Sequence, residues 1–142
     1  MPYLFRHPQL AHETTLVLDE QNFAITLLQA GERVTQSRFI EQEWRVLTPF
    51  FSPEKGGMHC TYEEALAALI GLPVALCRER IRGAKLKDEY EETVKHAFFA
   101  EMKPVRELLF SCQDRLHALD LHLCGLLHYG YVLCPLPGEG HP

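Results

Sequence analysis

The chain has no surplus of positive charge and no long apolar run. Its 14 Lys and Arg stand against 19 Asp and Glu in 142 residues, a formal charge of −5. A strongly basic balance is the usual mark of a nucleic-acid binder, so charge alone does not announce that class, and only local basic patches stay open. No segment reaches the ~18 apolar residues of a membrane span. The opening MPYLFRHPQL lacks a charged start followed by a long apolar stretch, so no secretory leader is expected. The 5 cysteines, at 60, 77, 112, 124 and 134, are scattered and odd in number. Free thiols in a reducing, cytoplasmic setting are the simplest reading. There is no tight pair of the Cys-x₂₋₄-Cys kind that structural zinc sites use. There is no phosphate-binding Gly loop either, because Gly56-Gly57 lacks a following Lys-Ser/Thr. No internal repeat is visible.

What is present suits one globular domain: 46% apolar, 10% aromatic and 23% charged residues. Residues 1–13 read as a tail. Leu16 and Leu18, then Phe23, Ile25 and Leu27, alternate with period two about a turn at Gln21-Asn22, which predicts a hairpin. Glu32 to Thr35 adds a short strand after Gly31. The period then becomes helical, with Ile40, Trp44, Leu47 and Phe51 on one face and Pro49 bending the last turn. Ser52 to Gly57 reads as a loop. Thr61-Tyr62-Glu63-Glu64 is a capping box for a helix that Gly71 ends. Charged residues dominate 78–95, where Glu91 and Lys95 form a favourable helical pair. A last helix is expected after Pro104, with Val105, Leu108, Leu109, Cys112, Leu116 and Leu119 as its apolar stripe. Two strand-like runs, Leu121–Leu126 and Tyr129–Cys134, precede a tail over 135–142.

This order resembles the winged-helix effector domain of OmpR/PhoB-type transcriptional regulators. Leu16-Val17-Leu18-Asp19 looks like that family's first strand, and Glu43-Trp44-Arg45-Val46-Leu47 is similar to its Glu-aromatic-Arg-Leu-Leu in helix 1. Thr61 to Gly71 resembles its Ser-Arg-Glu-Glu-Leu-Leu segment of helix 2. Leu108 to Leu133 is similar to its recognition helix and wing, with Gly130-Tyr131 at the wing Gly-Tyr. The resemblance covers roughly residues 14–72 and 103–134. It implies an α+β fold: a small N-terminal antiparallel sheet, a three-helix core and a C-terminal β-hairpin wing. Residues 73–102 would form a helical insertion between helices 2 and 3. It further implies a stand-alone DNA-binding regulator without a receiver domain, not an enzyme, with no cofactor or metal. Its partner would be double-stranded DNA, with Lys103, Arg106, Phe110, Gln113, Arg115, His117, His128 and Tyr129 as the contact residues. The insertion would carry a protein partner or a homodimer contact.

The sequence departs from the family at the contact residues. The Arg-rich run before the recognition helix's final Leu reads Ser111-Cys112-Gln113-Asp114-Arg115-Leu116, and the wing reads Leu127-His128-Tyr129 before Gly130. With Val105 turned inward, Lys103, Arg106, Glu107, Phe110, Asp114 and His117 face outward. That balances two positive against two negative charges, whereas phosphate neutralisation by Lys and Arg drives DNA affinity. The alternative is therefore a winged helix serving as a protein-interaction module. Phe110 either contacts a partner or is covered by the insertion. Arg78, Arg80, Arg82, Lys85 and Lys87 are either a substitute phosphate patch or a solvated face balanced by neighbouring acids. The Cys112, His117, His122, Cys124, His128 and Cys134 set could supply metal ligands or simply pack. A Cys–His nucleophile finds no support in the spacing.

Overall fold

The computed structural model describes residues 3–6, 10, 13–55, 57–90 and 96–136. The expected tail positions outside these, the Glu91–Lys95 pair and residues 137–142 lie outside the described residues.

Four antiparallel strands form the first sheet: β1 (Tyr3–Phe5), β2 (Thr14–Asp19), β3 (Ala24–Gln29) and β4 (Glu32–Arg38), in that spatial order. Leu16 lies opposite Leu27, and Leu18 opposite Ile25. The period-two alternation thus buries one face of the hairpin. Asp19 closes the β2–β3 turn, its carboxylate accepting the Gln21 N–H (3.0 Å) and the Asn22 side-chain amide (2.7 Å). Two expectations are corrected here. Residues 3–5 are a strand rather than tail, because Phe5 pairs with Leu16 and buries its ring against Phe51. Phe23 lies in the turn, at φ +51°, rather than in β3.

Helix α1 (Glu41–Leu47) runs into a 3-10 turn, Thr48–Phe51, whose Pro49 stands where the α-helix stops. Ile40 caps α1 from outside and is exposed, so it does not share the inner face of Trp44 and Leu47. Strand β5 (His59–Thr61) leads into α2 (Tyr62–Ile70). The capping box is formed: Thr61 Oγ1 accepts the Glu64 N–H, and Glu64 Oε1 accepts the Thr61 N–H. Gly71 ends α2 in the left-handed region, φ +73°.

Helix α3 (Val74–Tyr90) follows, then α4 (Ala97–Ser111) and the short α5 (Gln113–His117). The last helix therefore begins seven residues before Pro104 rather than after it, and it breaks at Cys112. Its early start has a cause in the preceding helix. Both carboxylate oxygens of Asp88 accept backbone N–H groups at the head of α4, from Ala97 (2.6 Å) and Phe98 (3.0 Å). Residues 97–102, read with the insertion, are the start of α4, and Met102 is buried.

The chain closes with β6 (Leu121–Leu126) and β7 (Gly130–Pro135). β7 lies between β6 and β5 in a second, three-stranded antiparallel sheet. Gly130 is required at that junction. A Cβ there would stand 2.1 Å from the Cys60 carbonyl oxygen and 2.7 Å from the Thr61 Cα. The fold is thus α+β, with one continuous core. Leu16, Ile25, Leu47, Phe50, Met58, Leu66, Val105, Leu109, Leu116 and Leu133 all belong to it. Among the described residues, no helix is long and apolar enough to cross a membrane.

Candidate functional site

Pairing of β5 with β7 fixes the β6–β7 hairpin to the start of α2. The Tyr62 N–H donates to the Tyr129 carbonyl (3.1 Å), and the Tyr62 hydroxyl donates to the Leu126 carbonyl (3.3 Å). Helix α4 packs against α1, α2 and α3, and α5 packs against β6 and β4. The eight residues expected to make contacts divide by what their side chains touch.

Arg115 and Gln113 are corrected from contact residues to internal ties. The Arg115 guanidinium grips both oxygens of Glu43, through Nη1 to Oε1 (2.7 Å) and Nη2 to Oε2 (2.5 Å). It also donates to the carbonyls of Arg38 (2.9 Å) and Ser111 (2.8 Å), and lies 5.0 Å from the Phe39 ring centre. Glu43 is 3% exposed. Burial alone would push its carboxyl up, but the donors from Arg115, Ser111 and the Ile40 N–H outweigh that and hold it at about 2. This fork-on-carboxylate geometry occupies the Arg115 side chain. Gln113 is committed in the same way. Its amide donates to the Leu123 carbonyl (3.3 Å) and accepts the Leu123 N–H (3.1 Å), joining α5 to β6.

The other six stay at the surface with varied freedom. Lys103 is exposed and 3.8 Å from Glu107. The Arg106 guanidinium lies 3.4 Å over the Phe99 ring and donates to the Phe99 carbonyl. Phe110 is 64% exposed, so the insertion does not cover it. His117 stacks on His122, with Nε2 and Nδ1 2.9 Å apart. His128 stands in the hairpin turn at φ +66°, and the Tyr129 hydroxyl meets His59 Nδ1. Leu127, beside them, is 84% exposed. The outward face of α4 therefore presents two cations already engaged by neighbours, and a large bare ring.

The basic residues of α3 make a mixed surface. Arg80 pairs with Glu101 (2.6 Å) and Arg82 with Glu79 (3.3 Å). Lys85 lies over the rings of Tyr62 and Phe98, 5.8 and 5.2 Å from their centres. His122 faces Cys134 across the hairpin, yet among the described residues no three His, Cys, Asp or Glu side chains are grouped to hold a metal. All five cysteines are unbridged. Burial pushes the Cys60 and Cys112 thiols up to about 12, so neither supplies a thiolate at neutral pH.

Sequence reasoning missed Glu43 as the partner of Arg115, because 72 residues separate them and no spacing signals the pair. It also missed the convergence of Tyr62, Lys85 and Phe98, which depends on α3 folding back along α2. Among known proteins, no family, no curated protein and no solved structure matches the chain.

Proposed function

We propose that this chain is a winged-helix module of the OmpR/PhoB type that engages double-stranded DNA, with α4–α5 toward the major groove and the β6–β7 hairpin as the wing. One observation carries the reading. A strand ahead of α2, β5, pairs with the C-terminal hairpin, while Gln113 ties α5 to β6 of that hairpin, which sets the hairpin beside the end of the last helix. The two-element approach to a duplex that winged helices use needs that juxtaposition. In this reading α3 is the inserted helix. Lys103 and Arg106 supply the fixed charges, Phe110 and His117 lie along the same approach, and His128 and Tyr129 sit at the wing. Gln113 and Arg115 hold the helix in place rather than touching DNA.

The charge inventory sets the expected strength. Two neutralised phosphates give a salt slope near −1.8, so affinity should fall only about tenfold between roughly 50 and 200 mM salt. Fluorescence anisotropy with mixed-sequence duplex DNA at those two concentrations tests this. Saturable binding with that slope, lost in Lys103→Ala/Arg106→Ala, supports the reading. No binding at about 100 μM and low salt, below ordinary non-specific affinity, refutes it.

A second reading, a protein-interaction module, is favoured by a specific observation. Phe110 and Leu127 are the most exposed large apolar side chains of α4 and the hairpin, and exposed aromatics of this kind anchor protein contacts more often than they face water. The same titration separates the two, since a protein-docking face has no reason to bind duplex DNA with a phosphate-dependent slope.

A further inference from the structure

We propose that the cavity between α2, α3, the head of α4 and the hairpin tip binds a small aromatic carboxylate. Tyr62, Lys85, Asp88, Phe98, Leu127 and His128 line a space of about 320 Å³. That lies at the small end of ligand pockets, roughly 300–1,000 Å³, and suits a ligand of one or two fused rings. Tyr62 and Phe98 meet edge to face, centroids 4.9 Å apart at 77°, and make an apolar corner. Leu127 supplies a further apolar wall.

The charges choose the sign of the ligand. Both oxygens of Asp88 are taken by the N–H groups of Ala97 and Phe98, and the positive end of α4 answers its charge. Lys85 has no carboxylate within ion-pair distance among the described residues, and its ammonium rests on the faces of Tyr62 and Phe98. A cationic ligand would have to displace it from those faces. An anion adds a counter-charge that no described residue gives Lys85, while its ring packs against Phe98 and Leu127. The hairpin tip forms part of the cavity, and Tyr62 holds that tip through Leu126 and Tyr129. A bound ligand therefore touches the same turn that the DNA reading assigns to the wing, although the site stands whether the α4 face takes DNA or protein.

Titration of the ¹⁵N-labelled full chain with indole-3-carboxylate, followed by amide chemical shifts, tests the proposal. The expected result is saturable movement of Phe98, Leu127 and His128, with a Kd of about 1 mM or tighter. Indole-3-methanol, the same ring without the charge, should bind about tenfold more weakly, and Lys85→Met should lose about tenfold for the carboxylate. Lys85 is exposed, so Lys85→Met should leave the rest of the spectrum in place. No saturation by about 10 mM overturns the proposal. So does equal binding of indole-3-methanol, equal binding by Lys85→Met, or tighter binding of benzyltrimethylammonium at the same amides.

Discussion

Replacing Glu43 by Gln keeps the shape of the side chain and removes its charge, which isolates the contribution of the Glu43–Arg115 fork. A carboxyl held at about 2, against an ordinary 4.5, stabilises the fold by roughly 3 kcal/mol at neutral pH. Arg115 keeps a third of its side chain in solvent and can rehydrate when its partner is lost, so the expected loss is about 2–3 kcal/mol. For a chain of this size that corresponds to a melting temperature lower by roughly 6–12 °C. The sign with pH follows from the depressed value. The stabilisation is complete above about 4.5 and disappears as pH falls toward about 2. Urea unfolding followed by circular dichroism, for both proteins between neutral pH and about pH 2.5, should show a gap that closes over that window. A gap below about 0.5 kcal/mol at neutral pH, or one that does not change on acidification, would refute the reasoning.

Three further outcomes are expected. Thr61→Ala removes the α2 cap and should cost about 1 kcal/mol in urea unfolding, with Thr61→Ser restoring most of it. Gly130→Ala forces a methyl into the Cys60 carbonyl and should cost about 3 kcal/mol or more, with loss of hydrogen-exchange protection along β5. Ellman's reagent should react quickly with no more than Cys124 and Cys134 in the native protein, and with all 5 thiols after unfolding. Rapid labelling of Cys60 or Cys112 in the native chain would contradict their burial.

Much of the fold is written in local signals. The alternation of Leu16, Leu18, Ile25 and Leu27 sets the face of the first hairpin, and the Thr61–Glu64 box sets the start of α2 almost atom by atom. Those features need only neighbours a few residues apart. The errors fall where distant parts decide. Residues 3–5 have too short an alternation to announce a strand, and become one because β2 offers an open edge and Phe51 a ring to pack on. Pro104 reads as a helix start on propensity, yet Asp88, outside the helix and nine residues before it, starts α4 earlier by satisfying its first N–H groups.

The contact face was less legible for a related reason. The wheel from Val105 places Asp114 and His117 outward, and both are exposed; Gln113 and Arg115 enter the contact set through the family resemblance, which says nothing of the partners those side chains find here. Beyond the break at Cys112, two polar side chains turn inward: Arg115 to Glu43 and the β4 carbonyl of Arg38, Gln113 to the β6 backbone. Long-range polar bonds thus fix the attitude of α5 between the two sheets. The outward positions of α4, Lys103, Glu107 and Phe110, carry none of that work, since the Lys103–Glu107 contact is an exposed pair of little weight. The scaffold and the contact chemistry are therefore separable in this chain. Glu43, Gln113 and Arg115 act on stability and on the angle of the helix, whereas Phe110 and the cations beside it determine what that face can bind.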